Sequence, residues 1–366
     1  MGPNPLDPSS FNHRFVTVPS GHRYHLVDQA PEHWRGPVEQ APTVLLCHGF
    51  PDFWYGWRYQ IVALASRGYR VICPSQLGYG ETSKPGHPDP YSYKSVAYDM
   101  NGVLDAVGAG NVAVLGHDWG GMVAWRFAQY FPHRTLCLAS ACTPYMPPAS
   151  SPSDRLLSTE ALVRTKVPNF GYQLFFERED TAGKIEDVLD QFLALNFSPT
   201  ARAEAVKGGR KLPQMPVEEG GLEKSIAKQA ERKRSGKART PPQDPEYLYY
   251  LRTFEKHGLH APLNWYRTRR VNYFEEQQSG LSHSFPAHIP ALLFPAENDP
   301  ALPPGMAKSQ GKYFPGGNLR VEVIKGADHW LLQDGNCRNL VTDKLAAFVD
   351  EVLSGKWKPD SAPSKL

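Results

Sequence analysis

The sequence predicts an α/β fold: a mostly parallel central sheet flanked by helices, interrupted by a mainly helical lid insertion. Three observations predict it. Short apolar runs alternate with helix-periodic segments from Thr43 to Thr143, and the alternation stops at Pro144 and resumes near Ile289. Of 366 residues, 41% are hydrophobic and 21% charged, which supplies a core and excludes wholesale disorder. The 34 prolines are nearly double the ~5% of average usage and point to a loop-rich insertion rather than a bundle.

The elements follow in order. Two β-rich stretches open the chain, Arg14 to Pro19 and His22 to Asp28. TVLLCH is a short apolar run, and WYGWRYQIVALASRGY carries apolar residues at helical spacing, closing on Gly68 as a C-cap. RVICP and SYKSVAYDMNGVLDAVGAG repeat the pair, and NVAVLGHD, GGMVAWRFAQYFP and TLCLASACT complete a third round. Strands that are apolar throughout are buried on both faces, as parallel strands are. Residues 144–285 form the insertion; within it, residues 202–239 carry a run of Arg and Lys with acidic residues interspersed, which reads as a solvated surface. PALLFPAEND, NLRVEVIKGADHW and the amphipathic NLVTDKLAAFVDEVL resume the core. The division is therefore 1–143 core, 144–285 insertion, and 286–366 core with a C-terminal tail.

Composition excludes several function classes. A net charge of +3 is too balanced for a nucleic-acid scaffold. No run approaches the ~18 apolar residues that span a bilayer. MGPNPLDPSSFNHR lacks the features of a secretory signal, so a protein kept inside the cell is expected. Cys47, Cys73, Cys137 and Cys142 sit in or beside apolar runs and Cys337 stands alone; small buried thiols are expected, with neither metal nor disulfide spacing.

The segment that carries chemistry is LGHDWGG, residues 115–121. It has the form of a strand-to-helix nucleophile elbow, with Asp118 where serine is usual. Gly116 and Gly120 suit a turn that is strained and closely approached by backbone. A carboxylate nucleophile displacing a leaving group from saturated carbon forms an alkyl ester, which an activated water must then hydrolyse. His329, in a loop after VEVIKGAD, is the candidate base. Its acid is sought after PALLFPA, where Glu297 and Asp299 both lie. Asp299 sits further into the loop and is preferred; Glu297 reads as a surface or loop-fixing residue. The order nucleophile, acid, histidine fits the α/β-hydrolase arrangement. HGFP, residues 48–51, follows a strand, and the backbone N–H groups of Phe50 and Trp119 are the expected oxyanion donors.

Together, HGFPDFWYGWR, GHDWGG, AENDPAL and GADHW resemble the soluble epoxide hydrolases of the α/β-hydrolase family, in order and spacing and over nearly the whole chain. The resemblance implies an α/β-hydrolase fold with a helical cap, conversion of epoxides to vicinal diols through an ester on Asp118, water as co-substrate, and no cofactor. GYQLFF and GLHAPLNWYR look like the lid segments that each supply a tyrosine in that family; carried over, these are Tyr172 and Tyr266. Two phenols meeting the departing alkoxide make chemical sense, because an alkoxide is a poor leaving group. With Phe50 and Trp119, they are also the expected pocket residues. The phosphatase-type domain of larger members is not expected, since residue 14 already begins the sheet. One departure stands out: in CPSQLGYGETSKP, Ser75 and Leu77 occupy positions where the family has an acidic and a basic residue. The Gly78-Tyr79-Gly80 turn lacks the third glycine of a nucleotide site.

Ser364-Lys365-Leu366 match the peroxisomal address, so an import receptor is an expected partner and peroxisomal localisation is expected, otherwise cytoplasmic. Two rival functions remain. A haloalkane dehalogenase uses the same kind of nucleophile with N–H donors for halide, and Trp265 stands beside Tyr266. A non-catalytic hydrolase-like binding protein would ordinarily lose a triad member, and none is lost here.

Overall fold

The computed structural model describes residues 2–207, 209 and 211–359; Ser364-Lys365-Leu366 lie outside them. The chain forms two compact units, one made of the residues up to Arg155 together with those from Arg270 onward, the other Leu156–Arg269.

The first unit is built on eight strands: β1 (His13–Thr17), β2 (Arg23–Gln29), β3 (Thr43–Cys47), β4 (Arg70–Pro74), β5 (Val112–His117), β6 (Thr135–Ala141), β7 (Ala291–Phe294) and β8 (Leu319–Val321). They form one sheet in the order β1-β2-β4-β3-β5-β6-β7-β8. β1 pairs antiparallel with β2, and β2 with β4; the remaining neighbours are parallel. Strands β3, β4 and β5 are buried at every position, which is why they read as unbroken apolar runs. Where the sheet changes from antiparallel to parallel, Arg70 reaches Asp28 with two nitrogens, each at 2.8 Å, both side chains being buried.

Helices flank the sheet. α1 (Arg58–Ser66) packs on β4 and against the helix Arg338–Leu353. α2 (Tyr93–Ala106), capped by the Ser92 hydroxyl accepting from the Ser95 N–H, packs on α3 (Trp119–Tyr130), which lies along β5 and β6. Because β3, β5, β6, β7 and β8 run parallel, the loops after them emerge at one edge of the sheet, where ligands bind in folds of this kind.

The second unit is shorter than the 144–285 insertion. Residues up to 155 and the helix Arg269–Ser279, all but its first residue, belong with the sheet. The cause is polar. Glu276 pairs with buried Arg126 at 2.7 Å and accepts the Ala149 N–H with its other oxygen; Asn272 accepts the Tyr93 N–H; Gln277 donates to the carbonyls of Ala149 and Ser151. A buried ion pair tolerates separation poorly, so this helix is held to the sheet unit.

Among its described residues the second unit is helical. Leu189–Phe197 and Pro245–His257 pack face to face, with Phe197 stacked on Tyr250 at 3.7 Å. Gly221–Arg234 buries Leu222 and Ile226 and exposes Arg232, Lys233 and Arg234 in its last turn, where the helix dipole favours cations. The part of the basic run in this helix thus lies on its solvated side. No helix among the described residues is long and apolar enough to cross a membrane, and all five cysteines are buried and free.

Candidate active site

The site is assembled from five loops at the sheet edge. β5 ends at His117, and Asp118 follows with φ 54° and ψ −124°, strained for a residue with a Cβ. The turn closes because of its glycines. A Cβ on Gly116 would stand 2.2 Å from the carbonyl oxygen of Gly120, and one on Gly120 would stand 2.1 Å from that of Cys47. The Thr143 hydroxyl, from the loop after β6, donates to the Asp118 carbonyl at 2.7 Å.

Backbone donors hold the Asp118 carboxylate. The Phe50 N–H, from the HGFP loop after β3, donates to Oδ1 at 2.8 Å, and the Trp119 N–H also bonds the carboxylate. His329 Nε2 lies 3.6 Å from Oδ2. Burial raises the Asp118 pKa, while the His329 charge and the two N–H donors oppose that rise.

His329 Nδ1 is 2.7 Å from Asp299 Oδ2. Asp299 is itself fixed, its Oδ1 accepting the N–H groups of Ala301 and Leu302, each at 2.9 Å, and its side chain is fully shielded from solvent. Burial alone would raise its pKa; His329, the Leu302 N–H and the Cys142 thiol bring it below the usual value. For His329, burial works against the charged form, yet Asp299 by charge and hydrogen bond, then Asp118 and Asp328, raise the pKa to about 9. Glu297 takes no part in this chain of contacts. It is exposed and bonded to Lys325 and the Gly326 N–H.

The structure adds groups that sequence reasoning did not select. His117 Nε2 donates to the His329 carbonyl at 2.8 Å, and Cys142, at φ 66°, places its sulfur 3.6 Å from the same oxygen. Desolvation lowers the His117 pKa to about 3, so its ring is neutral. One of 13 histidines, it had no signal except adjacency to Asp118. His48 fixes the HGFP loop: Nδ1 donates to the Gly49 carbonyl and Nε2 accepts the Gln76 N–H. In the divergent loop, the Ser75 hydroxyl lies 3.3 Å from His25 Nδ1, the Ser75 carbonyl accepts from Thr82, and Leu77 is buried. Polar and apolar contacts within the first unit therefore fill the places of the family's acid and base.

In the second unit, Tyr172 begins the helix Tyr172–Phe176 and Tyr266 lies in the turn Asn264–Arg267. Their ring centroids are 6.2 Å apart, nearly perpendicular, with Phe176 packed on both. Arg267 ties the two segments together, donating to the carbonyls of Glu177 and Arg178 and to Asn264 Oδ1. Gln173 Nε2 donates to the Tyr172 hydroxyl at 3.4 Å.

A half-buried Asp at a glycine-flanked elbow, followed in the chain by an acid that holds a histidine and the histidine that faces it, defines a hydrolase of known class. The chain belongs to the alpha/beta hydrolase fold family, whose model matches residues 42–335. The resemblance to epoxide hydrolases holds along most of its length. It is 34% identical over 350 residues to Epoxide hydrolase srdG of Neurospora crassa, covering 91% of this chain and 94% of that protein. It is 33% identical over 328 residues to Bifunctional epoxide hydrolase 2 of Mus musculus, covering 90% of this chain and 54% of that protein. The chain thus spans about half the length of the mammalian relatives it matches. Among solved structures, Epoxide Hydrolase A from Mycobacterium thermoresistibile superposes with a TM-score of 0.70 at 27% identity, covering 93% of this chain and 98% of that one.

Proposed function

We propose that the protein hydrolyses epoxides to vicinal diols in two steps through a covalent ester on Asp118. The observation that carries this reading is the line of contacts from Asp299 Oδ2 to His329 Nδ1 at 2.7 Å, and from His329 Nε2 to Asp118 Oδ2 at 3.6 Å. Oδ2 attacks a ring carbon and the carbon–oxygen bond of the epoxide breaks. Tyr172 and Tyr266 hydrogen-bond the ring oxygen and supply its proton as it becomes a hydroxyl. The ester is neutral, so the Asp118 charge that helped raise His329 is gone and the imidazole releases its proton more readily, through solvent, to reprotonate the phenolate. As free base it takes a proton from water, the hydroxide adds to the ester carbonyl, and the N–H groups of Phe50 and Trp119 bond the resulting oxyanion. On collapse the His329 imidazolium protonates the departing alkoxide to give the diol, and the Asp118 carboxyl returns its proton to His329, restoring the carboxylate. Asp299 holds the imidazole in the required tautomer.

One turnover in heavy-oxygen water, with enzyme in excess, tests the ester. The first diol should carry only unlabelled oxygen; label in it would mean direct attack by water. Parallel incubation with a haloalkane separates the dehalogenase reading, which requires halide release. Ser364-Lys365-Leu366 we propose as a peroxisomal import address bound by its receptor. A fluorescent reporter ending in these residues should enter peroxisomes, and one ending in Ser-Lys-Ser should remain outside.

A further inference from the structure

Behind the base lies a second set of donors. A ring nitrogen of His117, the Cys142 sulfur and a ring nitrogen of His329 all fall within 4.8 Å of one another, the one such group with metal-holding side chains among the described residues. His117 is 2% exposed and Cys142 1%. Because His117 Nε2 must carry hydrogen to bond the His329 carbonyl, its Nδ1 bears the lone pair, and that buried atom has no hydrogen-bond partner. Cys142 holds a left-handed backbone conformation uncommon for a residue with a side chain, and it keeps its sulfur turned toward the triad.

We propose that His117, Cys142 and His329 form an inhibitory site for a thiophilic divalent cation of the zinc or cadmium kind. Two imidazoles and a thiolate match the preferences of such ions, which hard-oxygen cations do not share. Around a zinc-sized ion the donors stand ~3.5 Å apart, so the side chains must draw in by about 1 Å and His117 must turn a nitrogen free of hydrogen toward the ion. The Asp299 carboxylate beside Cys142 and His329 offsets part of the cation's charge. Binding releases the Cys142 thiol proton and the proton of the His329 imidazolium, and no electron is transferred. It withdraws the base, so turnover stops until the ion is removed. The inhibitory consequence rests on the role given to His329 above; the binding itself does not.

Cadmium titration of the purified protein tests both separately. One equivalent should produce a sulfur-to-cadmium charge-transfer band in the ultraviolet, and epoxide turnover should fall in step and return on adding a chelator. Cys142→Ser should lose the band and tolerate at least about tenfold more cadmium, each variant being compared with its own metal-free rate. His117→Gln keeps the thiol and should bind at least about tenfold more weakly. A band that survives Cys142→Ser, or one unmoved by His117→Gln, overturns the site. A band that forms and disappears as expected, with turnover unaffected, supports the site and counts against the role of His329. A protein that turns over no epoxide yet shows the band supports the site and overturns the proposed activity.

Discussion

The two units of this protein stand in contrast. In the sheet unit the functional side chains sit in loops that follow strands, and backbone fixes the two carboxylates: the elbow at Asp118, two N–H groups on Asp299 Oδ1, the Phe50 N–H on Asp118 Oδ1. In the helical unit the two tyrosines occupy a five-residue helix and a short turn, joined by the side chain of Arg267. Precision comes from main-chain geometry in one and from side-chain bonds in the other. Substitutions should therefore act abruptly in the first and by degrees in the second.

The largest effect is expected at the proposed nucleophile. Asp118→Asn should lower diol formation at least ~10⁴-fold, as removal of a nucleophile does. His329→Gln should preserve the first chemical step while slowing steady-state turnover ~10³-fold or more, so that the ester accumulates and is seen as added mass on an Asp118 peptide. In the helical unit, Tyr172→Phe with Tyr266→Phe should slow ester formation ~10²–10³-fold in rapid-quench measurements. An unchanged rate would remove both phenols from the mechanism and leave the contrast without a functional side. Arg267→Ala, which frees the Asn264–Arg267 turn, should cost about tenfold in the same step.

Two further outcomes concern stability. Gly120→Ala places a Cβ 2.1 Å from the Cys47 carbonyl oxygen. Main chain on both sides leaves no cheap relief, and a loss of ~2–4 kcal/mol in denaturant unfolding is expected. The pH dependence follows from His329, whose ordinary value of 6.5 is raised to about 9 in the fold. A raised pKa stabilises fully below the unfolded value and the contribution is lost as pH rises through the folded one. Stability should therefore decline between about pH 6.5 and 9. In His329→Gln the slope over that window should flatten.

The same contrast governs what the sequence revealed. The sheet unit was legible because strand-helix alternation and motif spacing are written in consecutive residues: Asp118, Phe50 and Trp119 lie within short motifs, and chain order pointed to Asp299 and His329. The choice of Asp299 over Glu297 rested only on depth into the loop, and the structure shows the two carboxylates turned to different partners. The helical unit carries no such code. Tyr172 and Tyr266 were found by resemblance alone, and its boundaries came out at Leu156–Arg269 because the polar grip of Arg126 on Glu276 joins residues far apart in the chain. His117 and Cys142 were missed for the same reason. Each meets His329 only through folding.

Finally, the Phe50 contact divides the Asp118 carboxylate into two unlike atoms. Oδ1 is pinned by a backbone donor, and Oδ2 faces the imidazole. If that grip persists through the proposed ester cycle, Oδ2 would depart with each product and be replenished from solvent, while its neighbour would never be renewed. Successive diols formed by one enzyme molecule in isotopic water should then switch from wholly light to wholly heavy after the first. A carboxylate free to spin would blur that step into a gradual rise, so the enzyme's memory of its original oxygen measures how tightly one amide holds it.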